Sequence, residues 1–197
     1  MTIAASMAIT LLLLLATVGS AAAKTQFGSN FNANTQPSNG APAHHCKPDD
    51  AATCTWVMNF AFSGAGTTQL PLRAPKDGKI GKIKILSATS GSFRLLLART
   101  KSNPTRSKVV RAGPSLSYNG NGGAGCTPNC TIETFSVNLT VKKGDILAFR
   151  AGQTGFLRCN SGSPNILFYQ PPLAVGGSFR QPDDDDGCFV LMKAVYK

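Results

Sequence analysis

The sequence predicts an all-β protein, a single antiparallel two-sheet β-sandwich that is jelly-roll-like and disulfide-bonded. Three observations carry that prediction. Short apolar runs recur from Thr55 to the C-terminus with Gly, Pro, Asn and Asp at the breaks, no stretch shows a helical apolar period, and six cysteines stand in an even count beyond an apolar leader. The lone tryptophan, Trp56, lies two residues after Cys54, which does not match the spaced Cys, Trp, Cys of immunoglobulin domains and favours the jelly roll.

Residues 1–23 read as a signal peptide. The apolar run from Ala8 to Val18 is short for a bilayer core, and Gly19-Ser20-Ala21-Ala22-Ala23 supplies the small residues that signal peptidase accepts. Met1 to Thr10 holds no Lys or Arg, so only the terminal amine is positive there. The expectation is a secreted, extracellular protein with no membrane span once cleaved and 174 residues left, enough for one domain with a real core. Residues 24–45 read as a flexible linker, because Gln26 to Gly40 is rich in Asn, Ser, Gly and Thr without an apolar period, and Pro37 and Pro42 punctuate it. Phe27 and Phe31 are its exceptions and either dock on the domain or form a short recognition element. The sandwich domain is assigned to residues 46–197.

Within it, strands are expected near Thr55–Phe62, Gln69–Arg73, Lys79–Ser87, Ser92–Thr100, Ser107–Ala112, Glu133–Val141, Asp145–Ala151, Asn165–Tyr169 and Cys188–Tyr196. Phe135, Val137, Leu139 and Val141 alternate with Ser136, Asn138 and Thr140, the pattern of a half-buried antiparallel strand. Lys142-Lys143-Gly144-Asp145 then turns the chain into Ile146-Leu147-Ala148-Phe149, which predicts a hairpin. Ile83 and Ile85 point to the core with Lys82 and Lys84 on the wet face. Phe93, Leu95 and Leu97 do the same with Arg94 outward, and Leu96 and Ala98 indicate that the other face of that strand is covered too.

Six cysteines allow fifteen pairings, so spacing alone does not choose among them. The expected bridges are Cys46–Cys54 and Cys126–Cys130 in short turn-rich loops and Cys159–Cys188 between distant segments. Zinc fits poorly, because Cys126-Thr-Pro-Asn-Cys130 has no second matching pair and His44-His45 lies in the linker.

The chain carries 20 basic against 9 acidic residues, and the excess is concentrated. Between Arg73 and Arg111 eleven basic residues face one acid, Asp77, a local balance of +10. Such a segment raises the local concentration of anionic partners, or serves solubility alone. A specific nucleic-acid reader is not indicated, since no helix-turn-helix, zinc finger or aromatic stacking motif accompanies the charge. Lys79, Lys82, Lys84 and Arg94 are the candidate anion contacts, and Trp56 and Tyr118, with Tyr169 and Phe179, the aromatics placed to stack on a sugar ring.

Catalytic constellations are missing. The only histidines, His44 and His45, fall in the linker, and a glycosidase pair of carboxylates cannot be assembled from Asp49, Asp50, Asp77, Glu133 and Asp145, of which Asp77 and Asp145 sit beside glycines as turn formers. Asp183-Asp184-Asp185-Asp186 offers two readings, a solvated acidic loop leaning on the basic sheet or a Ca²⁺ site that relieves carboxylate repulsion. No cofactor other than that Ca²⁺ is indicated. Tyr118 to Cys126 is glycine-rich but lacks the strand-to-helix setting of a phosphate cradle, and Asn129-Cys-Thr131 and Asn138-Leu-Thr140 have the glycosylation pattern.

The succession Leu70-Pro-Leu-Arg-Ala-Pro-Lys-Asp-Gly78-Lys-Ile80, Phe93-Arg-Leu-Leu-Leu-Ala-Arg99, Val109-Val110 and Phe135 to Phe149 resembles a group of exported bacterial β-sandwich domains of unknown function, of a kind common in actinobacteria. The resemblance spans Leu70 to Tyr196, implies the sandwich fold, and brings no catalytic residue with it. The functional expectation is a non-catalytic secreted domain that binds an anionic polymer or polysaccharide at or near the cell surface. The alternatives are a structural or protein-interaction domain of the envelope and, lastly, a hydrolase with an unfamiliar site.

Overall fold

In the computed structural model, residues 25–38, 53–103, 105–120, 125–152, 154–159 and 164–197 are described. Twelve strands and no helix are found among them: β1 Gln26–Gly28, β2 Cys54–Met58, β3 Gly78–Ile85, β4 Gly91–Lys101, β5 Arg106–Tyr118, β6 Glu133–Val141, β7 Ile146–Ala151, β8 Leu157–Cys159, β9 Ile166–Tyr169, β10 Asp184–Asp186, β11 Cys188–Val190 and β12 Met192–Tyr196. Eight of them pair as one antiparallel ribbon, β4 with β5, β3 with β6, β2 with β7 and β1 with β12. That nested ribbon is rolled into two sheets. The first runs β1-β12-β3-β6 and the second holds β2-β7-β4-β5, extended past β2 by β9 and β10. This is a jelly roll, the architecture that buries one face of each sheet without helices.

The core between the sheets is built from the inward residues of the alternating strands. Trp56 stacks on Phe149 with ring centroids 5.4 Å apart, Phe149 meets Phe156 at 4.8 Å, and Phe156 meets Phe93 at 5.0 Å. Each such fully buried aromatic contributes about 1.5–3 kcal/mol relative to exposure. The outer face of the second sheet is also covered. Leu96, Ala98, Val109, Ala148 and Leu167 form a second apolar cluster with Leu173, whose loop is tied down by Gly176 N–H to the Val109 carbonyl and Arg180 N–H to that of Ser107.

Several expectations change. Residues 25–38 are not a free linker: Phe27 is fully buried, Phe31 is 2 % exposed, and β1 closes one edge of the first sheet. Both phenylalanines therefore dock. The expected hairpin after β6 is an arch, because β6 joins the first sheet beside β3 while β7 joins the second between β2 and β4. The physical reason lies in β7 itself, whose Ile146-Leu147-Ala148-Phe149 run is apolar on both faces and suits only the sheet that is covered on both sides. Asp145 fastens the arch as a buried carboxylate, accepting Lys142 N–H at 2.8 Å and Arg99 Nε–H at 2.8 Å.

Gln69–Arg73 is not a strand. Pro71 lacks an N–H for a ladder, and among the described residues the segment makes the isolated Arg73–Ile146 bridge and one backbone bond from Gly28 N–H to the Pro71 carbonyl. Cys188–Tyr196 splits into β11, which pairs with β8, and β12. Pro114 is tolerated inside β5 because β5 is an edge strand. Cys126–Cys130 and Cys159–Cys188 are bridged as expected, while Cys46 lies outside the described residues, as does the leader. Such bridges fit an oxidising compartment. Among the described residues no helix is long and apolar enough to cross a membrane.

Candidate anion-binding face

Strand β3 carries Lys79, Lys82 and Lys84, and its register explains how all three reach solvent. Lys79 and Lys82 are an odd number of residues apart, so strict alternation would put them on opposite faces. A bulge between Ile80 and Lys82 resets the pattern, leaving Ile80, Ile83 and Ile85 buried and the three lysines outward. Gly81 sits in that bulge, where a Cβ would come within 2.6 Å of Lys197 Cγ. On the neighbouring β12, Met192, Ala194 and Tyr196 are buried, which turns Lys193 and Val195 outward. Lys197 follows and places its Nζ 3.4 Å from Asn138 Oδ1.

The other flank, β6, presents Thr134, Ser136, Asn138 and Thr140, with Lys84 opposite Thr134, Lys82 opposite Ser136 and Lys79 opposite Thr140. The outer face of the first sheet is thus lysines set among hydroxyls and an amide. Among the described residues of these strands it carries no outward acidic side chain. The one acid of these strands, Glu133, is turned away to accept Asn119 N–H at 2.9 Å, Gly120 N–H at 3.1 Å and the Ser87 hydroxyl at 3.1 Å, bonds that tie the segment after β5 to β6. Lysines about 7 Å apart on one strand repel by roughly 0.6 kcal/mol in water, a repulsion that a bound anion removes.

Lys193 differs from its neighbours. It is 8 % exposed, beneath the turn that follows β1, with Nζ donating to Asn30 Oδ1 at 2.8 Å and to the Phe31 carbonyl at 3.1 Å over the Phe31 ring. Burial, with Lys84 adding, lowers its pKa.

The remaining candidates are dispersed. Arg94 is exposed but belongs to β4 in the second sheet, on the opposite side of the sandwich from the lysines. Trp56 is fully buried, with Nε1–H donated to the Ala151 carbonyl at 3.1 Å, so it offers no stacking surface. Tyr118 buries its ring against Phe93 and Phe156 and keeps only its hydroxyl near a polar hollow, where burial raises its pKa. Tyr169 is buried with its hydroxyl on Ser107, and Phe179 lies under the ammonium groups of Lys101 and Lys108.

Arg111 of β5 reaches across to β6 and donates to the Thr140 carbonyl. Arg73, Arg99, Lys101, Arg106 and Lys108 gather at the arch end of the sandwich. There Arg73 donates to Thr100 Oγ1 at 2.7 Å and Arg99 pairs with Asp145.

The acidic run is not the loop the sequence suggests. Asp184–Asp186 is an edge strand on β9, and an extended strand sends successive side chains to opposite faces. Asp183 accepts Arg180 Nη2–H at 2.6 Å and Gln170 N–H at 2.8 Å. Among the described residues no group of three or more His, Cys, Asp or Glu side chains converges as a metal site.

Sequence reasoning passed over Lys193 and Lys197. The alternation of Met192, Ala194 and Tyr196 marks both as outward, once β12 is placed beside β3. Compared with known protein families, with curated proteins and with solved structures, the chain matches none.

Proposed function

We propose that this protein is a secreted, non-catalytic jelly-roll module that binds an anionic polymer at or near the cell surface through the outer face of the β1-β12-β3-β6 sheet. The observation that carries this reading is the ladder of Lys79, Lys82, Lys84 and Lys197 on a face without an outward acidic side chain among the described residues. A row of lysines along one strand suits an extended chain with repeated charge, because the cations recur along one direction. The hydroxyls of Thr134, Ser136 and Thr140 add neutral hydrogen-bonding groups beside the charges, as a polysaccharide requires. Export is supported by the leader-like first 23 residues and by the disulfides.

The test is binding of the purified protein to immobilised polygalacturonate across a salt series. Retention that weakens steeply as salt screens the lysines supports the reading, and retention indifferent to salt overturns it in favour of an apolar interaction surface.

A further inference from the structure

We infer a second binding site, for a single neutral pyranose sugar, in a hollow at the end of the sandwich where two loops meet the end of β5. The inference is independent of the lysine face. The hollow encloses about 250 Å³. One wall is the turn into β4, with the side chains of Thr89, Ser90 and Ser92; another is the loop after β7, with Gly152, Thr154 and Gly155. Tyr118, the last residue of β5, forms the floor.

No charged side chain lines it among the described residues, so the hollow does not select an anion. Its side chains are hydroxyls, and each hydroxyl both donates and accepts, which matches the ring hydroxyls of a sugar in either sense. Tyr118 is held rigidly: its ring lies 5.4 Å from Phe156 and 6.1 Å from Phe93, and its Oη accepts Gly155 N–H at 3.1 Å. The walls approach so closely that a Cβ at Gly91 would stand 2.4 Å from Tyr118 Oη, and one at Gly155 would stand 2.3 Å from Thr89 Oγ1. Side chains at those glycines would break the floor. Glu133 braces the rim by accepting the amides of Asn119 and Gly120 just beyond Tyr118. A fixed polar hollow of this kind lowers the ordering cost of binding a small polyhydroxylated ring.

The experiment is an NMR amide-shift titration of the disulfide-intact protein with neutral monosaccharides and their methyl glycosides, one at a time. At least one sugar should give saturable, millimolar shifts centred on Thr89 to Ser92 and on Gly152, Thr154 and Gly155. Those shifts should vanish in Ser92→Tyr, which plugs the mouth from an exposed position, and weaken at least tenfold in Tyr118→Phe. They should persist in the triple variant Lys79→Gln, Lys82→Gln and Lys84→Gln, whose loss of polygalacturonate retention is a separate readout. The absence of saturable shifts with every sugar, shifts mapping elsewhere, or shifts unchanged in Ser92→Tyr would overturn the site.

Discussion

Lys193 and Lys84 stand directly opposite each other across β12 and β3, yet their ammonium groups part company. Lys84 stays half-exposed on the lysine face, while Lys193 is held beneath the segment after β1 by Asn30 and the Phe31 carbonyl. The same sheet therefore uses one lysine to fasten its N-terminal segment and offers the others to solvent. Repulsion between the pair is one reason why the pKa of Lys193 is lowered, after burial.

Replacing Lys193 by Ala strands the Phe31 carbonyl and should cost about 1–3 kcal/mol of stability. The pH dependence has a defined sign. The folded-state pKa lies below the ordinary 10.5, so between those two values the unfolded chain binds more protons and stability rises with pH. Denaturant melts should show that contribution as a difference between wild type and Lys193→Ala that widens with pH in that window.

All three tyrosines, Tyr118, Tyr169 and Tyr196, have pKa values raised above 10.0 by burial. Their contribution to stability is complete below pH 10.0 and is lost as pH climbs through the folded values. Phenolate absorbance of the native protein should therefore rise later than that of the protein in denaturant, and a single early-titrating tyrosine would contradict the burial described.

Cys159–Cys188 closes 29 residues and ties β8 to β11, whereas Cys126–Cys130 closes only 4. Changing both members of the longer bridge to Ser should cost roughly 3–4 kcal/mol, against roughly 2 kcal/mol for the shorter, by loop-closure entropy. Equilibrium unfolding of the two double variants checks the order.

The arch between β6 and β7 depends on an asymmetric ion pair, since Asp145 is 1 % exposed and Arg99 is 44 % exposed. Arg99→Ala leaves a buried carboxylate with the Lys142 amide as its one partner among the described residues and should cost about 3 kcal/mol. Asp145→Asn frees an arginine that water already reaches. It should cost less, and urea midpoints of the two variants decide the order.

The sandwich was legible where burial imposes a period. Phe135, Val137, Leu139 and Val141 alternate in sequence as they do in β6, and the apolar pair Leu96 and Ala98 signals the covered outer face of β4. The arch was not legible from its turn, because Lys142 to Asp145 suits either a hairpin or a sheet change. The contrast of an alternating β6 with a continuously apolar β7 held the signal. Strand β1 is three residues in a polar stretch, too short for any period, and β10 is an acidic edge strand whose ladder asks nothing apolar of it. Of the candidate ligand residues, Lys79, Lys82 and Lys84 share one face. Trp56 and Arg94 do not join them, because loop proximity in sequence says nothing about which sheet a strand enters.

The proposed binding depends on where charge sits rather than on how much there is. The direct measurement compares retention on polygalacturonate at low salt for two triple variants of equal charge: Lys79→Gln with Lys82→Gln and Lys84→Gln, and Lys101→Gln with Arg106→Gln and Lys108→Gln at the arch end. The lysine face predicts loss of retention in the first and near-native retention in the second, with both folded by circular dichroism. Equal weakening in the two would contradict it and leave the basic residues a role in net charge alone.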